Sequence, residues 1–443
     1  MTSYAMDPVD AAWYHMDGPE NLAMVTSVLL TKTPLNFNRV RAIYRERLPQ
    51  FERFHQRVVE SGFPLPTPHW EDVPHFDMDQ HLHHVALPAP HDQTALRAFV
   101  TDIASTPLDH QQPLWQVHVV DQVEGGSAVV MRFHHCLADG TAMLNVMQKL
   151  FDPAPGARRP EAAALVQATA PLGFLDKAAL VVSGAGMLIV EMLKWPDPQS
   201  PLKGEFGMRK HVAWSNPVPI KDVKAIGVQH GAKANDVLVA AMTGALRAYL
   251  KRRGVDVNHT TVRAMVPVDL RPPERQGRMG NEFGLVILEL AVTKSRAAQR
   301  LALTKERMDA LKRSTEPLAM RVLLDIFGRT PKAVEDIANQ IFGSKTSLVM
   351  TNVAGPRSAL YLAGVAIHRM LFWVPHPGRQ LGMGISIMSY RGEATLAVIA
   401  DARLVPDPET ITAGFNREFA SMLRSLKPQA AKPALRKSVR LRA

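Results

Sequence analysis

Cysteine is all but missing from this chain: Cys136 stands alone among 443 residues. An intrachain disulfide is therefore impossible, and a metal site built from cysteines is excluded. A reducing, cytosolic compartment fits. Long hydrophobic runs are missing too. The longest uncharged apolar stretch runs from Ala178 to Val190, between Lys177 and Glu191. It falls short of the roughly 20 residues that a membrane-spanning helix needs. It suits lying on a membrane or packing in a groove. The opening residues Met1 to Pro8 carry no basic segment ahead of an apolar core, so no signal peptide is expected. Acidic residues are in short supply, 41 Asp+Glu against 52 Lys+Arg, which leaves a formal charge of +11. That excess favours anionic partners: a membrane surface, a nucleotide-bearing cofactor or nucleic acid. Nucleic acid is set aside, because the chain shows no zinc-finger spacing, no basic-aromatic ribonucleoprotein motif and no long basic helix.

What is present is an ordinary globular balance, 46% hydrophobic and 21% charged, in a length that suggests two domains. Residues 1–152 read as one α/β unit. A helix is expected over Asn36–Phe51, and strands over Trp115–Val123 and Ala128–Phe133 with a turn at Glu124–Ser127 between them. Apolar Met143, Val146, Met147 and Leu150 recur at helical spacing over Thr141–Phe151, with Asp139 or Thr141 as the cap. An Ala/Pro/Gly-rich shift at Asp152–Pro160 opens a crossover over 153–203 that includes the apolar segment. A second α/β unit is expected over 204–426. There Asn235 is read as the cap of a helix stopped by Gly254. Strands are expected at Thr261–Val268, ended by Pro267 and Pro272, and at Gly284–Val292. A hairpin is expected across Arg391-Gly392-Glu393, and a last helix from Asp407-Pro408. The tail 427–443 holds six Lys/Arg and no acid, which reads as a disordered basic arm.

The densest chemistry lies in His134-His135-Cys136-Leu137-Ala138-Asp139-Gly140, where a strand is expected to end and a helix to begin. Imidazole is the one unperturbed side chain that titrates near neutral pH, so a histidine fixed at an element end can take a proton from an alcohol or amine. A thioester is already activated. Direct attack on it needs a base and donors for the oxyanion, but no serine or cysteine nucleophile. The pattern therefore points to acyl transfer without a covalent enzyme intermediate.

His134-His135-x-x-x-Asp139-Gly140 resembles the signature of the acyl-CoA-dependent acyltransferases that include chloramphenicol acetyltransferase and peptide-synthetase condensation domains. Several further segments carry the likeness along the chain. They are Met6–Ala11, Pro113-Leu114-Trp115, Asn235-Asp236-Val237, Val266–Arg271, Gly280-Asn281 and Thr351–Pro356. In that order they resemble the bacterial wax ester synthase/diacylglycerol acyltransferase family. The resemblance implies two chloramphenicol-acetyltransferase-like α/β lobes, each a mixed sheet with helices, joined by a long crossover. It implies His135 as general base and His134 as a positioning and packing residue. Asp139 would hold the loop through an arginine, with Arg271 as the candidate, and Gly140 would let the backbone pass close to the substrate channel. Pro113, Leu114 and Trp115 would wall the acyl site, with Asn235, Asp236 and Asn352 approaching from the second lobe. The implied substrates are a fatty acyl-CoA with diacylglycerol or a long-chain alcohol, and no other cofactor or metal. The implied location is cytoplasmic, peripheral on the inner membrane or on lipid inclusions. Cys136, Lys203 and Thr351 depart from the family pattern.

Blander readings stand beside these. The histidine pair would be ordinary capping or core residues, or metal ligands, though adjacent residues on an extended segment point apart and no third histidine sits at ligand spacing. The same divergence argues against a Cys136–His135 nucleophile pair and for a small buried thiol. His81, His83 and His84 read as a strand edge rather than a metal site. Competing functions are a condensation-type domain acting on carrier-bound acyl groups, and a non-catalytic lipid-binding protein of the same fold.

Overall fold

The computed structural model describes residues 3–60, 67–156, 196–271, 279–314, short stretches between 317 and 325, 343–376 and 381–426. The apolar segment at 178–190 and the basic tail at 427–443 lie outside the described residues. In the first half the elements run β1 (Ser3–Ala5), α1 (Pro8–His15), β2 (Met24–Thr31), α2 (Phe37–Arg47), β3 (Gln56–Val59), β4 (His69–Asp72), β5 (Leu82–Ala86), α3 (Gln93–Ala104), β6 (Trp115–Val123), β7 (Gly126–His134) and α4 (Gly140–Leu150). The second half continues with β8 (Lys210–Trp214), β9 (Val218–Pro219), α5 (Ile220–His230), α6 (Ala234–Arg252), β10 (Arg263–Asp269), β11 (Phe283–Glu289), α7 (Ala297–Lys312), β12 (Leu348–Ala354), β13 (Tyr361–Leu362), β14 (Val365–Trp373), β15 (Met383–Tyr390), β16 (Glu393–Asp401) and α8 (Glu409–Arg424).

The first lobe is built on a six-stranded sheet in the order β13-β14-β2-β7-β6-β5, and the second on a seven-stranded sheet, β11-β10-β12-β15-β16-β8, with β9 beside β16. Both are mixed: β5 runs parallel to β6, and β12 parallel to β10 and β15. Strands β2 and β7 are buried at every position, because helices cover one face and the other lobe the other. Val25, Val28, Leu29 and Leu30 of β2 and Val129, Val130 and Met131 of β7 supply the apolar content that such burial demands. In the second lobe α6 is buried almost all round, from Asp236 to Leu246, packed between α5, α7 and α8.

Three expectations are corrected here. Tyr361–Trp373, placed by sequence in the second unit, crosses into the sheet of the first, where β14 pairs with β2. Pro267 does not end its strand. It sits inside β10 opposite Leu285, beyond the point where pairing to β12 stops at Met265, so its missing N–H costs no ladder bond there. Asn235 is not the cap of α6. The cap is Lys233, whose backbone N–H donates to the Asp236 carboxylate at 2.8 Å. The expected hairpin at Arg391-Gly392 closes through two left-handed residues, φ 51° and 82°, the geometry of a tight two-residue turn. Among the described residues no helix is long and apolar enough to cross a membrane.

Candidate active site

β7 delivers its last residues to the seam between the lobes. The His134 backbone N–H donates to the Leu114 carbonyl at 2.9 Å, and that of His135 to Ala23 at 2.8 Å, so neighbouring strands pin the two histidines. Consecutive side chains on extended backbone diverge. His135 lines a cavity between the lobes; His134 does not. His134 packs instead near Tyr14 and His110, and its Nδ1 accepts the Cys136 backbone N–H at 3.1 Å. That bond occupies the one lone pair of a neutral ring, leaving Nε2–H toward Asp17, 3.8 Å away.

His135 is held differently. Its Nδ1 lies 3.0 Å from Asn281 Oδ1, and its ring stacks on Trp13 with centroids 4.0 Å apart and planes 13° from parallel. Phe283 closes the edge at 6.0 Å. Burial pushes the imidazole down to about 4, against the opposing pull of the Asp139 charge, its own carbonyl and Asn281. Burial lowers His134 to about 4 as well. Both rings are thus neutral at pH 7.

Asp139 caps α4 by accepting the Ala142 N–H at 2.9 Å on Oδ1. Arg271 grips the same carboxylate at 3.1 and 2.8 Å, and the Glu282 N–H donates to Oδ2 at 3.0 Å. The carboxylate therefore bonds two residues that flank β10 and β11 of the second lobe to the first turn of a first-lobe helix. Gly140 opens α4 on the cavity wall. A Cβ there would meet only Val353 at 3.7 Å, an ordinary contact, so no tight backbone passage requires glycine at this position. Gly280 does require it: its φ is 101°, and a Cβ would press on Arg53 and Asp10 at 3.3–3.4 Å.

The cavity running past His135 is walled chiefly by apolar side chains. Val25, Leu29, Met143 and Met147 come from the first lobe; Met265, Leu285, Val349 and Met388 come from the second. Ser27, Thr141, Thr351 and Asn352 are among its few polar positions. Cys136 is wholly buried outside it, and burial raises its thiol well above the usual range. A buried neutral thiol off the cavity is no nucleophile.

Several expected wall residues lie elsewhere. Pro113, Leu114 and Trp115 do not line the cavity. Trp115 is core, donating its indole N–H to the Phe54 carbonyl at 2.8 Å and stacking on His81 at 4.5 Å. Leu114 acts through its carbonyl on His134. Asn235 stands one residue back from the wall, accepting from the Asn352 side chain at 2.5 Å. Asp236 is fully buried at the head of α6 and faces no part of the cavity. Lys203 donates to the Ser344 carbonyl at 2.7 Å. The His81, His83 and His84 rings go to three different partners, Trp115, His118 and Asp121. Among the described residues no cluster of His, Cys, Asp and Glu is arranged to hold a metal. Trp13, Arg53 and Phe283 carry no signal in the sequence that would nominate them. Asn281 and Asp10 stand out only as members of separate motifs, since 271 residues separate two side chains that meet in space.

Two lobes, with a histidine at their seam facing an apolar cavity, define the fold of the acyltransferases and condensation domains. A wax ester synthase/diacylglycerol acyltransferase from Marinobacter aquaeolei VT8 superposes with a TM-score of 0.70 at 19% identity, covering 95% of this chain and 98% of that one. The first condensation domain of the calcium-dependent antibiotic synthetase gives 0.64 at 16%, covering 95% of each. Residues 6–194 match the wax ester synthase/diacylglycerol acyltransferase catalytic domain, and residues 279–423 the C-terminal domain of the same family. The chain belongs to that family of acyltransferases. A putative diacylglycerol O-acyltransferase of Mycobacterium tuberculosis is 26% identical over 456 residues, 94% of this chain and 89% of its own. A second, probable diacylglycerol O-acyltransferase of that organism is 26% identical over 406 residues, 85% and 86% of the two chains.

Proposed function

We propose that this protein moves a long-chain fatty acyl group from acyl-CoA to the hydroxyl of diacylglycerol, of a long-chain alcohol, or of both. The observation that carries this reading is a neutral His135 imidazole facing an apolar cavity that offers no cysteine beside it. Nε2 takes the proton of the acceptor hydroxyl as its oxygen attacks the thioester carbonyl. The tetrahedral oxyanion forms near the first turn of α4, where Gly140 and Thr141 line the cavity and the helix dipole favours negative charge. Its collapse expels the CoA thiolate, which recovers the proton from the imidazolium. Asp139 and Arg271 hold the loop, and His134 packs behind it. Long alkyl chains match the methionine- and leucine-lined walls, since unbranched thioethers adapt to flexible ligands.

The family likeness and the diacylglycerol acyltransferase names of the mycobacterial relatives support this substrate pair. The net positive charge and the apolar segment near 178–190 support a place at the cytoplasmic face of the inner membrane or on lipid inclusions. Fractionation of lipid-loaded cells tests that location, and recovery wholly in the supernatant would reject it. The activity is tested by offering palmitoyl-CoA to the purified chain with diolein, with hexadecanol, or with neither. Thiol release should require an acceptor, and His135→Ala should lower turnover about 10²–10⁴-fold. Release without acceptor, or full activity in the variant, would reject the mechanism.

A further inference from the structure

We infer that Asn281, itself clamped by Asp10, is the positioning residue that fixes the His135 ring with its proton on Nδ1 and its lone pair on Nε2. The inference rests on the reading of His135 as the base and names what makes it one. The argument begins with the amide. Asn281 Nδ2 donates to Asp10 Oδ1 at 2.8 Å and to the His135 carbonyl at 2.8 Å. Neither of those acceptors can donate, so both amide hydrogens are committed and the orientation of the amide is settled. Its oxygen then faces His135 Nδ1 at 3.0 Å and can only accept. The ring must supply the proton there. A neutral imidazole has one N–H, so Nε2 is left unprotonated for the cavity.

Asp10 is fixed in turn. Its Oδ1 also accepts the Asn281 backbone N–H at 3.0 Å, and Arg53 lies 2.8 Å from Oδ2 in a charge contact. Arg53 reaches onward to the Leu137 carbonyl at 2.9 Å, so the same pair braces the loop behind His135. Gly280 leaves the room this cluster needs. Helix α1 thus touches the base twice, through Asp10 by way of Asn281 and through Trp13 by stacking. His134 carries the opposite tautomer because a backbone N–H takes its Nδ1. Two adjacent histidines are set to opposite protonation by their Nδ1 partners, and one alone faces substrate.

The test is ¹⁵N NMR of the full chain labelled in its histidines, recorded at pH 7 without substrate, with His135→Ala used to assign the His135 signals. The expected spectrum shows a neutral ring protonated on Nδ1; an Nε2–H ring would overturn the inference. In Asn281→Ala the two tautomers should mix. Turnover of palmitoyl-CoA with hexadecanol should fall about 10-fold or more, with KM for each within about two-fold. An unchanged tautomer or an unchanged kcat in a folded Asn281→Ala would also overturn it. If that variant fails to fold, the wild-type spectrum still decides. If the wild-type chain proves inactive on these substrates, the functional reading fails while the tautomer is judged separately.

Discussion

Replacing Asp139 by alanine removes a carboxylate that receives four donors at once: Ala142 N–H, both Arg271 guanidinium nitrogens and Glu282 N–H. The lost helix cap costs about 1 kcal/mol. The larger cost is Arg271, whose side chain is only 1% exposed. Breaking a buried pair by deleting one partner costs about 3–5 kcal/mol, because the other charge stays buried without its counterion. Arg271 keeps the Gly280 carbonyl at 3.1 Å, with Glu282 and Asp269 at 3.7 and 3.9 Å, so the lower end applies. Asp139→Ala should therefore lose about 4 kcal/mol. Arg271→Met leaves Asp139 two backbone donors and should lose about 1.5–3 kcal/mol, the range for hydrogen bonds to a charged group.

The double variant carries the decisive number. With both charges gone, the burial cost of each disappears, and an apolar side chain fills the space. Its loss should fall short of the sum of the single losses by about 2 kcal/mol. Urea unfolding followed by tryptophan fluorescence measures all four corners, provided that the refolding limb retraces the unfolding one. A coupling below about 0.5 kcal/mol would mean that the carboxylate and guanidinium do not share one buried site. The account of Asp139 as the bolt between lobes would then be wrong.

Stability should also fall steeply in mild acid. Burial holds His134 and His135 at about 4, and His118 and His376 at about 3, all below the ordinary 6.5. The unfolded chain takes up protons that the folded one refuses, so stability is full above pH 6.5 and is lost as pH falls toward 4. Asp10 runs the other way. Burial raises it to about 6, so its contribution is full in acid and lost as pH rises through 6. Four histidines outweigh one carboxylate, and urea midpoints should drop from pH 7 to pH 5; equal midpoints would refute this. For the reaction, kcat/KM should stay flat from pH 8 to pH 6, because the free base titrates well below; an acid limb near 6.5 would place His135 in water instead. The two seam glycines should differ. Gly140→Ala should fold normally and act on KM, whereas Gly280→Ala should lose more than about 1 kcal/mol through its backbone angle and its contacts with Arg53 and Asp10.

The elements that can be read from the chain are those whose signals are local. The β6–β7 hairpin shows in valine-rich runs about a Glu-Gly-Gly turn, and β6 spans Trp115–Val123 as expected. Helix α4 shows in the spacing of Met143, Val146, Met147 and Leu150, all buried. The Asp139–Arg271 pair is nominated by the family resemblance, and the structure joins the two at 2.8 Å. Other features have no local signal. Nothing in Val365–Trp373 tells which lobe it joins, since a buried strand reads alike in either sheet. Asn235 satisfies every rule for a cap, yet Asp236 reaching back to Lys233 moves the helix start ahead of it. Pro-Leu-Trp looks like a wall because it is apolar and lies before the histidines. Strand pairing turns it to the core, and what it gives the site is a carbonyl. Asp10 and Trp13 sit on the short helix α1, and only tertiary folding brings Trp13 onto the His135 ring and Asp10 onto its partner Asn281.

The seam explains why this site is built from both halves rather than from one. Strand β14, from the second half, fills the place beside β2 in the first sheet, and β2 is the neighbour of β7. β2 leads out of Ala23, whose carbonyl holds the His135 N–H, and β7 ends at His134. The partner of His135 Nδ1, Asn281, stands just before β11, and the grip on Asp139, Arg271, just after β10. Each half alone therefore holds an incomplete site: the first has a histidine with no fixed tautomer, the second an asparagine and an arginine with nothing to fix. At the seam the ring is buried, and burial is what keeps it neutral. A buried neutral ring pays for its imidazolium during the reaction, so it gains from a charge that appears and vanishes within one encounter. The proposed direct transfer from thioester to hydroxyl provides that, because the oxyanion and imidazolium form together and vanish together when the proton taken from the acceptor leaves with the thiol. A base that stays unprotonated between turnovers, in a cavity with few polar groups, suits two water-poor substrates better than an exposed histidine would.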